Sequence, residues 1–269
     1  MSTQTGRPTL AACEWIFGRR PLAETVPALA AAGYDALVIA GEPDRPDIDE
    51  VVRLLDEAGL TVAGSTSETS GNPSRDLAHP DRSRRAEAVG YYKGCIDLLG
   101  RLGAPTLGIV PSAEGRLSAP SYQQAWKLAV EATREVALYA GEQGVSIAIE
   151  PLNRYEAFLV NRVEQACRFA TEVDVSGVGV IADFFHMNIE ETDLFAAIEE
   201  AGGRLLEIHL ADSNRDGLGT GHLPVHALLE RVKAQGFQGT FAVECYLQEG
   251  RSDAFLEQSA RSVREVFPG

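Results

Sequence analysis

Short apolar runs alternate with helix-sized amphipathic segments from one end of this chain to the other. An apolar stretch around Leu10–Trp15 precedes an Ala/Leu-rich segment near Leu22–Ala32 that predicts a helix. ALVIA (36–40) leads into a helix near Ile48–Ala58, and LTVAG (60–64) into a longer one near Pro80–Leu102. PTLGIV (105–110) is followed by Ser121–Gly141, where apolar residues recur at helical spacing with few breakers. Four more runs follow: VSIAIE (145–150), VGVIAD (178–183), LLEIH (205–209) and TFAVE (240–244). Their helices fall near Arg162–Glu172, Asp193–Ala201, Pro224–Gln235 and Asp253–Val266. A glycine often separates a helix from the next strand, as in AAG-YD, EAG-LT, RLG-AP, EQG-VS and AQG-FQ. Glycine takes up the left-handed turn that ends a helix without steric cost.

Eight such units predict an α/β fold, an eight-stranded parallel (β/α)8 TIM barrel, because consecutive parallel strands need crossover helices. No linker or low-complexity segment interrupts the pattern, so residues 1–269 are expected to form a single domain. An open doubly wound sheet is the alternative, but no GxGxxG follows the first strand. Strand parity agrees with a barrel. Period-two alternation puts Glu150 on one face with Ala148 and Ser146, Asp183 with Ile181 and Gly179, and Glu244 with Ala242 and Thr240. The opposite faces, with Val145, Ile147, Ile149, Phe241 and Val243, are bulky and suited to packing on helices. A barrel just wide enough for its own side chains has this distribution.

Glu150, Asp183, His209 and Glu244 each close one of the last four runs. In a barrel, the C-terminal ends of neighbouring strands converge on one mouth, where the chemistry sits. Three carboxylates and one imidazole make a hard, anionic site suited to Mn2+, Mg2+ or Co2+. Glu207 lies on the face of His209, one layer deeper. A buried acid needs a partner, and Glu207 is expected to hydrogen-bond inside the barrel and orient the imidazole.

Charge and cysteine usage narrow the function. The 269 residues carry a formal net charge of −15 with 45% hydrophobic residues, enough apolar material for a sizeable core. A nucleic-acid partner would need a basic stripe that overcomes this field, and the tract DRSRRAE (81–87) is short and mixed in sign. It is expected to be a solvated helix start. Cys13, Cys95, Cys167 and Cys245 are widely spaced, as in reduced, buried thiols, with Cys245 directed away from Glu244 across its strand. The N-terminal segment lacks an apolar core and no run reaches membrane-spanning length, so a soluble cytoplasmic protein without a membrane partner is expected.

The loops that follow the four strand ends carry further chemistry. EPLNRYE (150–156) adds Asn153, Arg154 and Glu156, and DFFHMN (183–188) places His186 three residues after Asp183. HLADSNRDGLGTGH (209–222) joins His209 to Arg215 and a glycine-rich stretch that allows close backbone approach. GLGTGH lies where a barrel can bind phosphate, but with one arginine nearby an uncharged ligand is favoured over a phosphorylated one. VECY (243–246) buries an acid within a strand, which metal coordination would compensate. His79 and His226 read as surface residues and His222 as a loop anchor. Trp15 and Phe17 either stack on a sugar or simply fill space.

Taken together, EPLNRYE, DFFHMN, HLADSNRDGLGTGH and VECY resemble the ketose 3-epimerases, members of the sugar phosphate isomerase/epimerase superfamily with a xylose-isomerase-like barrel. The resemblance covers essentially the whole chain and is most specific from Val145 to Tyr246; CEWIFG (13–18) matches only loosely. It implies that Glu150, Asp183, His209 and Glu244 ligate one divalent metal, Mn2+ or Co2+, with Mg2+ also compatible. It implies that Glu150 and Glu244 are the catalytic acid/base pair and that Glu156, His186 and Arg215 bind substrate. The implied reaction inverts C3 of a free ketose through a metal-stabilised cis-enediolate, in a homodimer or homotetramer. Aldose–ketose, inosose or hydroxypyruvate isomerisation and 3-oxo-sugar lyase chemistry share the scaffold. A related nuclease similar to endonuclease IV would need more histidines than the five present and a basic surface. A noncatalytic sugar-binding subunit would not require both Glu150 and Glu244.

Overall fold

A computed structural model describes residues 6–70, 72–247 and 252–268, with Ser252 described only as backbone. Eight parallel strands close into a barrel in sequence order: β1 Thr9–Cys13, β2 Ala36–Gly41, β3 Thr61–Ser67, β4 Thr106–Ile109, β5 Ser146–Ile149, β6 Val178–Asp183, β7 Leu205–Leu210 and β8 Thr240–Val243. The open alternative is excluded by the last seam, where Thr9, Leu10, Ala11 and Ala12 of β1 pair with Thr240, Phe241, Ala242 and Val243 of β8.

Helices α1 Leu22–Ala31, α2 Ile48–Ala58, α3 Arg82–Leu102, α4 Tyr122–Glu142 and α5 Val163–Val173 follow the first five strands. A short α6, Phe184–Glu190, then precedes α7 Leu194–Ala201, α8 Val225–Ala234 and α9 Ser252–Val266. The observed bounds agree with the hydrophobic pattern to within a residue or two at most ends. Gly33, Gly59, Gly103, Gly144 and Gly236 all adopt positive φ, as their places before strands predict. The tract 81–87 does open a helix: Asp81 accepts from the Ser83 and Arg84 amides as its N-cap.

Two elements depart from the pattern. The first strand stops at Cys13, and Glu14–Phe17 forms a 3-10 turn. That turn sends Phe17 into the core while Trp15 reaches the barrel mouth. The segment after β6, to which the hydrophobic pattern assigns no element, is the seven-residue α6.

The outer strand faces form the core with the helices. Val145, Ile147, Ile149, Phe241 and Val243 all belong to the main buried cluster. Inside the barrel, Ile181 of β6 reaches across to β4, since a Cβ at Gly108 would lie 3.2 Å from its Cδ1. The β6–β7 register carries a shift at Val180/Ile181, after which Ile181 pairs with Glu207 and Asp183 with His209. The bulged residue Leu206 needs the room left by Gly179, where a Cβ would sit 2.5 Å from its Cγ. This bulge aligns two of the four candidate ligands. All four cysteines are free and buried. Among the described residues, no helix is long and apolar enough to cross a membrane.

Candidate metal centre and active site

Asp183 and His209 end up directly paired across β6 and β7, and Glu150 and Glu244 immediately follow β5 and β8. Although both glutamates lie past their strands, their amides remain pinned: Glu150 donates to the Ile109 carbonyl and Glu244 to the Leu210 carbonyl, each at 3.0 Å. All four side chains are buried, and one ligand atom from each lies within 4.8 Å of the others. Spacing alone could place these residues on strand ends; closure of the barrel brings them to one point.

His209 is the hub. Its Nδ1 lies 2.9 Å from Glu150 Oε1, 2.9 Å from Glu244 Oε2 and 3.9 Å from Asp183 Oδ2. Its Nε2 lies 3.1 Å from Glu207 Oε1, the contact expected from the sequence. Burial disfavours a charged ring, but the charges of Glu244 and Glu150, with the bonds to Glu150 and Glu207, outweigh it and lift the His209 pKa well above the imidazole range. Glu244 is the converse. Burial pushes its pKa up, but His209, Arg215 and the Trp15 indole outweigh this and hold it below the usual carboxylate range.

The donor set fits a divalent cation. Asp183 Oδ1 caps α6, accepting from the Phe185 and His186 amides at 2.6 and 3.0 Å, whereas Oδ2 is buried with no hydrogen-bond partner. Burial, opposed mainly by His186, pushes the Asp183 pKa up to about 6. A desolvated carboxylate oxygen needs compensation, and a cation shared with Glu150, Glu244 and His209 Nδ1 supplies it. Glu207 would then fix the tautomer of His209 by accepting from Nε2–H.

Of the candidate substrate residues, Glu156 and Arg215 line the same mouth, while His186 is buried behind it. Asn153, which the sequence marked only as part of a loop, organises them. Its backbone amide and Nδ2 lie 3.2 and 2.9 Å from His186 Nδ1, and Nδ2 also donates to Glu156 Oε1 at 2.7 Å. With Nδ1 accepting, the ring proton of His186 sits on Nε2, which is buried and has no hydrogen-bond partner. Arg215 Nη1 donates to both Glu156 oxygens at 3.1 and 3.2 Å. Its guanidinium lies over Phe185, Tyr246 and Trp15, 4.8, 5.5 and 5.7 Å from their ring centres. Burial would weaken its charge, but Asp183, Glu244 and Glu156 hold it protonated. Its backbone is left-handed, with φ 60°. Such a conformation costs a non-glycine residue on the order of 1–3 kcal/mol and persists where the surroundings hold it; here the Arg215 carbonyl accepts from the Tyr246 amide at 2.7 Å.

Trp15 was ambiguous in the sequence. Its Nε1 donates to Glu244 Oε1 at 2.7 Å, leaving Oε2 to face His209. Sequence reasoning also missed Asp212. This buried carboxylate accepts from the Ser213, Leu223 and Gly219 amides at 2.7, 3.1 and 2.8 Å. The glycine-rich loop thus folds around an internal anion, and those amides are committed to Asp212 instead of a phosphate. His222 tethers the same loop through Ser213 Oγ at 2.8 Å. His226 is exposed, whereas His79 is half-buried and lines a cavity beside the mouth.

The mouth encloses about 460 Å3 and is lined by Glu150, Glu244, Glu156, Arg215, Trp15 and Tyr246, together with β3-end residues such as Thr66 and Glu68. It is a concave site with convergent polar groups and aromatic walls, the composition of a small-molecule pocket.

Comparison with known proteins agrees with this geometry. The sequence model of the xylose isomerase-like TIM barrel family matches residues 26–266. The chain is 31% identical to the D-psicose 3-epimerase of Ruminiclostridium cellulolyticum, over 82% of this chain and 77% of the relative. It is 30% identical to the 3-dehydro-D-guloside 4-epimerase of Escherichia coli, over 79% of this chain and 82% of that one. The crystal structure of D-psicose 3-epimerase with D-tagatose from Clostridium cellulolyticum H10 superposes with a TM-score of 0.86 at 25% identity, over 96% of this chain and 99% of that one. With a closed eight-stranded barrel, a buried carboxylate–imidazole tetrad and relatives matched over most of their length, the chain belongs to the ketose 3-epimerase family of xylose isomerase-like TIM barrels.

Proposed function

We propose that the protein is a metal-dependent epimerase that inverts C3 of a free ketose. One observation carries the reading. Glu150 and Glu244 come from β5 and β8, strands well separated around the barrel, and both reach the same His209 Nδ1 at 2.9 Å. Two carboxylates flanking one point can serve the two faces of a single carbon. Inversion requires this, since the proton leaves one face and returns to the other.

Glu150, Asp183, His209 and Glu244 would hold Mn2+ or Co2+, with Mg2+ compatible with the same oxygens. When bound, the ion supplies Lewis-acid stabilisation of the charge that develops on the ketose oxygens. One glutamate removes the C3 proton and the other delivers a proton to the opposite face, each contributing about 10²–10⁴-fold. His186 donates from Nε2–H to a substrate oxygen, and Arg215, held by Glu156, places positive charge beside the developing enediolate. The aromatic walls Trp15 and Tyr246 keep that charge out of bulk water, and Phe185 packs on the guanidinium of Arg215.

In Mn2+-loaded protein incubated in D2O with a panel of ketoses, deuterium is expected at C3 together with the C3 epimer, followed by proton NMR. Label at C1 or C2 with an aldose product would replace this reading with aldose–ketose isomerisation. Similarity to the E. coli enzyme supports a second reading, inversion beside the ketone of a 3-dehydro-glycoside. The two flanking acids suit that reaction equally, and deuterium at C4 of such a substrate would select it.

Arg215→Ala tests the placement of substrate. Loss of a charged hydrogen-bond donor costs about 1.5–3 kcal/mol, so kcat/KM should fall by roughly 10- to 100-fold. Metal content, read by elemental analysis, should remain as in the parent. Loss of metal in this variant would move Arg215 into the metal site's support.

A further inference from the structure

A second cavity of about 670 Å3 adjoins the mouth. The two share Ser70, Glu114 and Glu156 in their linings and so meet at these residues. The inner volume of about 460 Å3 sits toward the low end of the ~300–1,000 Å3 found for ligand sites, and the outer one exceeds it. A sugar confined to the metal end leaves the outer compartment unused.

The outer compartment is built for more than solvent. Its wall carries Tyr155, 73% exposed, the most exposed of the large hydrophobic residues described. A flat, accessible aromatic ring with a polar rim is a platform for the apolar face of a pyranose. Opposite chemistry is at hand for hydroxyl groups. Asp76 is buried at 1% exposure and paired with Arg116, whose guanidinium also lies 4.9 Å from the Phe158 ring centre. His79 accepts from the Asp81 amide through Nδ1, which leaves Nε2–H as a donor. The loops that form this wall are tied together, since the Gly115 amide donates to the Glu156 carbonyl at 2.7 Å. Charge narrows the ligand class. Arg116 is neutralised by Asp76 and Glu156 by Arg215, which leaves the carboxyl of Glu114 at the junction. An anionic group such as phosphate would meet net negative charge here.

We infer that the natural substrate is a keto-sugar extended by a second, uncharged sugar ring, with the reacting carbonyl at the metal tetrad and the second ring in the compartment of Tyr155 and Arg116. This inference rests on the proposed epimerase reading for the placement of the carbonyl. The junction at Ser70, Glu114 and Glu156 then receives the glycosidic link.

The test compares D-fructose with isomaltulose, a fructose carrying glucose on its 6-oxygen, on Mn2+-loaded protein. Titration calorimetry is expected to show at least tenfold tighter binding of the disaccharide. Tyr155→Ala, an exposed position with little bearing on folding, and Ser118→Trp, which fills the outer compartment, should each bring the disaccharide-to-monosaccharide affinity ratio close to one. Equal or weaker binding of the disaccharide to the parent, or a ratio that survives both substitutions, would overturn the inference. Deuterium uptake, measured on the same samples, separates this from the reaction itself. Tight, Tyr155-dependent binding without exchange would leave the outer subsite standing and remove the proposed C3 chemistry.

Discussion

Glu150→Gln and Glu244→Gln are each expected to stop epimerisation, with turnover falling by about 10²–10⁴-fold or more. Amide for carboxylate keeps shape and one oxygen donor, so far-ultraviolet circular dichroism should match the parent. The informative result lies in partial exchange. If each glutamate serves one face of C3, the variant lacking one still removes and returns protons on the remaining face. Glu150→Gln should then exchange solvent deuterium into one C3 epimer without inverting it, and Glu244→Gln into the other. Geometry favours this division: Glu244 is held by both Trp15 and His209 and follows β8, whereas Glu150 meets His209 from the end of β5, on the other flank of β7. Full epimerisation by either variant would remove that residue from the pair. Loss of exchange from both epimers in both variants would make the two carboxylates ligands alone.

Metal loading should produce the second large effect, in stability and in protons. At a free ion concentration a hundred times Kd, binding to the folded chain alone stabilises it by about 2.7 kcal/mol. For a chain of this size that corresponds to roughly 5–10 °C in Tm. Scanning calorimetry with Mn2+ against excess chelator measures it, and Asp183→Asn should abolish the difference by neutralising the carboxylate that has an unpartnered oxygen. The accompanying proton has a definite sign. Without the ion, His209 has a pKa well above the imidazole range, set against burial by Glu244 and Glu150, and is charged at neutral pH. Its contribution to the stability of the metal-free chain is complete below the unfolded imidazole pKa and is lost as pH rises through the folded one. Coordination needs the neutral ring, so binding should release about one proton per ion and weaken as pH falls. Titrations in buffers of different ionisation enthalpy read that number. No release at neutral pH would mean that His209 Nδ1 is not a ligand.

Periodicity made most of the barrel legible. Each strand is a short run whose two faces differ in bulk, and each helix has its own apolar stripe, so both signals are local. The exceptions have local causes of another kind. Trp15 continues an apolar run, yet the chain turns at Glu14, whose carboxylate accepts from the Ala40 amide at 2.8 Å and pairs with Arg45 at 2.7 Å. Those partners are distant in sequence, and no window around Trp15 contains them. Helix α6 escaped notice because seven residues give too few turns for a periodic signal. Its one sequence mark is Asp183, whose Oδ1 caps the helix while Oδ2 stays without a hydrogen-bond partner as a candidate ligand.

By itself the sequence determined that Glu150, Asp183, His209 and Glu244 lie within one residue of the C-terminal ends of four successive strands, because strand parity and hydrophobic runs are encoded within a few residues of each. It also determined Glu207 as the partner of His209, since residues two apart on a strand share a face and a buried acid needs a donor. Only the tertiary structure decided how these groups meet. The bulge at Leu206, made possible by Gly179, sets Asp183 opposite His209. Closure of β1 on β8 brings Trp15 to Glu244 across 229 positions of sequence. Asn153 joins His186 to Glu156, and Asp212 fills the loop that had the makings of a phosphate cradle. The physical reason is the same in each case. Hydrogen bonds and ion pairs between distant segments depend on register and closure, and those are settled by packing the whole barrel rather than by any stretch of chain.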